Sequence, residues 1–338
     1  MKKSLPVLLI SILLLSACTE NEPVSDASKT ETTTSAAATV TTPGTEPQAP
    51  SEPEIPDLYD TKPISDAYLS GNTAGLDEIQ LAILAKAKEI ISEVITEGMS
   101  PYDMELAIHD RLVWDITYDE EDLNAISEPS EHNRDPYGAL IEGSCICAGY
   151  ATSFQMFMDM LGIQCRTIHA KAHDGAEHTW NMVCFDGNWY HVDVTWDDPV
   201  PDKKNRPVRH TYFNVTDELM LEEHEWETGD TPPADSFEYS YTVRSCRELE
   251  GLDELPDYIE ELYQNKRRDG TFRVKGLEIE DKAKDTVFPK GFKKDSSDLT
   301  EKLEDTLSGL SKERLEYLKI TVTEVDGEKY LYIYGINA

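Results

Sequence analysis

Positive charge is scarce in this chain of 338 residues. It has 31 Lys and Arg against 66 Asp and Glu, for a formal net charge of −35. Such a surface repels phosphate backbones, so nucleic acid is excluded as an expected partner, and the acidity is read as serving solubility. Long apolar runs are nearly absent as well. Only Leu5 to Leu15 is close to continuous, and it is too short to span a bilayer. Metal signatures are missing: there is no His-Glu-x-x-His and no Cys-x-x-Cys. His169, His173, His178, His191 and His210 lie close in sequence, but His169 and His173 have a helical spacing inside a segment that reads as strand and loop. No metal and no cofactor are expected. There are six Cys. Cys145 and Cys147 are too close in an extended segment to bridge easily, and no disulfide framework is expected. No internal repeat is visible.

What is present divides the chain into four parts. Residues 1–18 read as a signal peptide, with Lys2 and Lys3 before the apolar core. Its end, Leu15-Ser16-Ala17-Cys18, resembles the bacterial lipoprotein cleavage box. That resemblance implies an acylated Cys18, a lipid anchor in the membrane and an extracytoplasmic location. Residues 19–57 are rich in Thr, Ser, Ala, Pro and Glu and cannot bury enough surface to order themselves, so they read as a tether. Residues 58–245 read as the main folded domain. Leu76–Glu97 has helical spacing; Ser100 and Pro101 start a second helix; a third runs from about Ala148 to Leu161, closed by Gly162. Strands follow over Ile163–Ala170, His178–Phe185, Trp189–Trp196 and Thr211–Val215. Asp186-Gly187 is a hairpin signal. Helices before strands give an α+β class. Residues 246–338 read as a small C-terminal α/β module, ending in a hairpin across Asp326-Gly327, with packing or binding as its expected role.

Three stretches carry chemistry: Gly143 to Ala151 around Cys147, His178-Thr179-Trp180-Asn181, and Tyr190 to Pro199 around Asp193. Cys147 sits where a loop becomes a helix. A helix N-terminus offers free amides and partial positive charge, which favour a thiolate and can hold an oxyanion. A two-residue turn at Asp186-Gly187 pairs Phe185 with Asn188. By that count His178 faces Thr195 and Asp193 faces Trp180. His178 and Asp193 are then diagonal neighbours on one face, roughly 7–8 Å apart at the backbone, within reach of an imidazole and a carboxylate. A carboxylate so placed fixes the tautomer of a base. Cys145 competes with Cys147 for the nucleophile, and Asp197 and Asp198 compete with Asp193. Trp180, Trp196 and Tyr150 are candidates for the site wall or substrate contacts. The acidic segment Asp119–Arg134 is expected to border the site.

The order Cys, His, Asp, with Cys147-Ala148-Gly149-Tyr150-Ala151, His178-Thr179-Trp180-Asn181 and Val192-Asp193-Val194-Thr195-Trp196-Asp197-Asp198-Pro199, resembles the transglutaminase-like superfamily over roughly residues 104–214. The resemblance implies a papain-like core of helices packed on an antiparallel sheet. It implies Cys147 as nucleophile, His178 as base and Asp193 as orienter. Ala148 departs from bacterial members, many of which have a charged or amide residue there. The expected activity is acyl transfer from amide bonds of protein or peptide substrates at the cell envelope, by protease, amidase or crosslinking chemistry. The alternative is a catalytically silent binding module on the same scaffold.

Overall fold

Side-chain caps set where the first helices begin. In the computed structural model, which describes residues 58–120, 130–198, 208–265, 267, 269–279, 286–288, 298–311, 315 and 318–336, α1 spans Lys62–Ser70, α2 Glu78–Val94 and α3 Pro101–Asp115. Asp77 accepts from the Gln80 amide before α2, and Ser100 accepts from the Asp103 amide before α3. Each pair is a reciprocal capping box. α2 is shorter at both ends than its apolar spacing predicts, because Asp77 supplies the cap and Ile95 is already extended. A short parallel pair, β1 (Thr117–Tyr118) with β2 (Ser144–Cys145), then leads into α4, Cys147–Leu161.

α4 is the centre of the molecule. Phe154, Met156, Phe157 and Met158 are all fully buried, so the helix is wrapped on nearly every side. The alternating methionines are core fillers, as flexible side chains are in irregular gaps. On one side lie α1 and α3; on the other lies a five-stranded antiparallel sheet in the order β6-β5-β4-β3-β7. Its strands are β3 (Gln164–Ala172), β4 (Glu177–Phe185), β5 (Asn188–Val192), β6 (Phe213–Val215) and β7 (His224–Glu225). The class is therefore α+β, with helices on an antiparallel sheet. Asp186 and Gly187 both have positive φ, 50° and 85°, and Phe185 pairs with Asn188. A two-residue turn of that kind matches the strand twist.

One strand differs from the sequence reading. The stretch Trp189–Trp196 does not stay extended: β5 ends at Val192, and Val194–Asp197 is a single helical turn, α5. The cause is Asp193, whose Oδ1 accepts from the Trp196 amide at 3.1 Å and so caps the turn. The short helices α6 (Asp217–Met220) and α7 (Tyr241–Arg244) follow.

A second five-stranded sheet, β10-β11-β12-β9-β8, completes the fold. It comprises β8 (Cys246–Leu249), β9 (Asp269–Val274), β10 (Thr286–Phe288), β11 (Lys319–Val325) and β12 (Glu328–Tyr334), with helices α8 (Leu255–Gln264) and α9 (Asp298–Leu307). The last hairpin turns at Asp326-Gly327, again with positive φ at both residues. No described helix is long and apolar enough to cross a membrane.

The two sheets lie in one compact unit, Ile55–Ala338, and a polar hub joins them. Asp269, the first residue of β9, accepts from His210 Nδ1 at 2.5 Å, from Tyr332 and from Tyr241, both at 2.8 Å. His210 Nε2 donates to Asp110 on α3 at 2.7 Å. Burial alone would push His210 towards its neutral form; the Asp269 and Asp110 carboxylates outweigh that and hold it at about 10.

A His raised in this way contributes stability fully below its unfolded value near 6.5, and that contribution fades as pH rises through about 10. Asp269→Asn should therefore cost on the order of 3–5 kcal/mol near neutral pH, the scale of a broken buried pair. It should also flatten the loss of stability between pH 7 and 10. Urea unfolding across that range checks both; an unchanged slope would place the pH dependence on other groups.

Candidate active site

Cys147 begins α4 without a side-chain cap. The residue before it, Ile146, is instead fixed through its amide to the Asn133 carbonyl at 2.8 Å. Cys147 is thus the first residue of α4, the end of a helix where backbone amides lack intrahelical partners. Gly149 keeps that turn close to β2: a Cβ there would meet Cys145 Cβ and Sγ at 2.6 Å. Cys145 packs beneath the turn, and burial pushes its thiol well above the ordinary range, so it is held as a neutral thiol. Cys145, Cys147, Cys165, Cys184 and Cys246 are all free.

His178, on β4, and Asp193, at the start of α5, meet, although the ladder stops at the Asn181–Val192 pair and the expected pairs Trp180–Asp193 and His178–Thr195 give way to the helical turn. His178 Nε2 lies 2.6 Å from Asp193 Oδ2. Cys147 acts on the same imidazole and helps to raise it, and with Nε2 on Asp193 the nitrogen left for the thiol is Nδ1. All three residues are nearly buried, with exposures of 7% for Cys147, 6% for His178 and 0% for Asp193. Burial would drive His178 neutral, but the Asp193 charge and hydrogen bond, aided by Cys147, hold it at about 10. Burial would likewise protonate Asp193, and the His178 and His224 rings outweigh it, holding the carboxyl well below its usual range.

The other candidates are placed as follows. Trp180 lies 6.0 Å from the His178 ring and nearly parallel to it; Trp196 lies 5.4 Å away, tilted by 41°. The Trp180 indole donates to His191 Nδ1 at 3.0 Å, and His191 Nε2 donates to Asp217 at 2.8 Å, so this ring is locked from behind. Tyr150 is not brought against His178 by any described contact. Its ring is fully buried and stacked on Tyr118, and its hydroxyl donates to Asp198 at 2.6 Å. Asp197 accepts from His109 Nε2 at 3.2 Å and from the Tyr212 amide. Among the described residues Asp193 is the carboxylate on His178. Residues 121–129 of the acidic segment 119–134 lie outside the described residues.

The five histidines that cluster in sequence do not gather in space. His169 pairs with Thr179, His173 with the Glu222 carbonyl, and the others have the partners given above. Two other groups converge among the described residues: His109, Asp110 and His210, and His178, Asp193 and His224. In each, two imidazoles share one carboxylate oxygen. An ion in either place would have to displace a proton from a ring that carboxylates hold at about 10.

His224 is the participant that the sequence reading missed. Its Nε2 lies 2.9 Å from Asp193 Oδ2, and its ring is fully buried. The one signal was spacing: His224-Glu225-Trp226 repeats the His-x-Trp of His178-Thr179-Trp180.

Part of the chain is similar to known proteins. Residues 88–194 match the family model described as the transglutaminase-like superfamily. Kyphoscoliosis peptidase of Mus musculus is 26% identical over 160 residues, covering 43% of this chain and 24% of that protein. The Homo sapiens protein of the same name is 27% identical over 176 residues, covering 47% and 24%. The chain thus spans about a quarter of the length of these curated relatives. A solved transglutaminase structure covers 54% of this chain and 44% of its own, with 17% identity and a TM-score of 0.34.

Asp193→Asn should bring His178 down from about 10 towards the ordinary imidazole range near 6.5. The pair's contribution to stability should vanish with it. In the wild type the Asp193 part is full above the unfolded carboxylate value near 4 and is lost as pH falls through its depressed value, and the His178 part is full below about 6.5 and is lost as pH rises through about 10, so the joint effect is largest between about pH 4 and 6.5. Imidazole titration by NMR checks this; a variant in which His178 still titrates near 10 assigns the shift to another group.

Proposed function

Residues 88–194 belong to the transglutaminase-like superfamily, and from that premise we propose that the chain is a cysteine acyl-transfer enzyme acting on amide bonds through Cys147, His178 and Asp193. The supporting observation is the 2.6 Å contact of Asp193 with the His178 imidazole, whose protonation Cys147 also influences. A buried carboxylate on the far nitrogen sets the tautomer and stabilises the imidazolium formed when the thiol gives up its proton.

The thiolate attacks the carbonyl carbon of a Gln side chain or a peptide bond. The oxyanion is met by first-turn amides of α4. His178 returns its proton to the departing nitrogen, the C–N bond breaks, and a thioester to Cys147 remains. Water or a primary amine then attacks the thioester, giving acid or a new amide and restoring the thiol. No cofactor or metal enters these steps. The apolar run before Cys18 supports a lipid-anchored protein at the extracytoplasmic membrane face, with protein or peptide substrates of the cell envelope.

The test is alkylation of the purified chain from pH 5 to 9, read cysteine by cysteine by mass spectrometry. Cys147 should react fastest near pH 6 and lose that advantage in His178→Ala. Cys147→Ser should reduce turnover of a Gln-containing peptide by on the order of 10³ or more. Running that assay with and without a primary amine separates crosslinking from hydrolysis. A Cys147 no faster than Cys184 or Cys246 at pH 6 would favour the silent binding module.

A further inference from the structure

We propose that His224 is a positioning residue of this reaction: a neutral ring that donates Nε2–H to Asp193 Oδ2 and fixes the oxygen on which His178 is held. The proposal rests on the acyl-transfer reading above.

A carboxylate does not hold its own orientation, because the terminal torsion of Asp is broad. Asp193 is fixed from outside at both oxygens. Oδ1 accepts from the Trp196 amide at 3.1 Å. Oδ2 accepts from His178 at 2.6 Å and from His224 at 2.9 Å. The second imidazole comes from a separate element. His224 lies on β7, paired with Ala172 at the free edge of β3, and reaches the carboxylate at the end of β5.

The surroundings suit a strong, dry hydrogen bond. The His224 ring is enclosed by Trp196, Trp180 and Tyr212, with centroids at 4.2, 5.1 and 5.6 Å. Low local polarity strengthens such a bond. The other nitrogen, Nδ1, is buried and has no partner among the described residues. Nε2 meets the carboxylate oxygen, so the donated proton belongs there, and a second proton on Nδ1 would leave a buried N–H without an acceptor. A neutral donor fixes the oxygen without placing a second positive charge in competition with His178.

The titratable groups facing His224 are His178 on β4, Asp193 at the start of α5, and His191 on β5 with its partner Asp217. Tyr212 also faces it, with its hydroxyl bound to Glu223. Cys147 lies beyond His178. Apart from His178, none of these groups is a donor to Asp193 Oδ2, so loss of His224 removes a bond that nothing among the described residues replaces.

The experiment compares the pH profile of Cys147 alkylation in the wild type, His224→Leu and His224→Gln, with circular dichroism confirming the fold. Leu fills space without a donor; Gln restores an N–H. His224→Leu should slow Cys147 at pH 6 by roughly tenfold, the scale of one hydrogen bond to a charged group, while His224→Gln stays within about threefold. A folded Leu variant with the wild-type profile overturns the proposal. So does a Gln variant as impaired as Leu, because the ring would then act by packing alone. The second readout needs no variant: ¹⁵N imidazole spectra of the wild type should show His224 protonated at Nε2 only, and a proton on Nδ1 overturns it. An ordinary profile for wild-type Cys147 removes the acyl-transfer reading instead, and the His224 tautomer remains measurable in that case.

Discussion

Asp193 sits where the chain leaves a strand and enters a helical turn, and each of its oxygens has a separate task. Oδ1 starts α5 by accepting the Trp196 amide, while Oδ2 receives two imidazoles. An uncompensated carboxylate at zero exposure would cost several kcal/mol or simply take up a proton. Three donors remove that penalty here. Because those donors come from β4, β7 and the first turn of α5, the carboxylate can stay ionised only when all three elements are in place. Geometry at Cys147 and the ending of the sheet are thus consequences of satisfying one buried charge.

The parts of this arrangement that depend on local rules were legible in the sequence. Asp186-Gly187 fixed the hairpin register as far as Asn181 and Val192, which carried His178 and Asp193 to the same end of the hairpin, and the apolar pattern before Gly162 located α4. Two features were hidden. The end of β5 was read as continuous strand because Val192, Val194 and Trp196 alternate with polar residues; the cap at Asp193 overrides that pattern, and a cap shows itself only when the amide it serves is known. His224 was hidden because its contact spans 31 positions along the chain and depends on a two-residue edge strand. No periodicity marks an element that short.

The second sheet illustrates a similar limit. Its helices and last hairpin follow from spacing and turn chemistry, but its attachment does not. Asp269 looks like an ordinary polar residue at a strand start. In the fold it is 3% exposed and bonded to His210, Tyr241 and Tyr332. His210 stacks on Tyr241 with centroids 3.9 Å apart. A charged, hydrogen-bonded seam of this kind contributes little net stability over a well-packed apolar one, yet it is costly to half-break. Its directional bonds make the placement of the sheet specific, and since Asp110 belongs to α3, they tie β9 to the helical layer that packs on α4.

The two networks meet in one turn of helix. Asp193 and Asp197 stand at opposite ends of α5, linked by the Asp197 amide to the Asp193 carbonyl at 3.1 Å. Both carboxyls are fully buried, and burial raises each. Asp193 faces two imidazoles and is held low; Asp197 faces one, His109, and is held above its usual value. Two carboxyls four residues apart thus end on opposite sides of the usual value: at Asp193 the imidazoles outweigh burial, and at Asp197 burial outweighs His109, His210 and the Tyr212 amide. This separation assigns the roles that composition left open between them. The negative charge of the turn is concentrated at the end that faces His178, where an imidazolium needs it. The other end serves structure, accepting the Tyr212 amide and joining His109 to the His210–Asp269 seam.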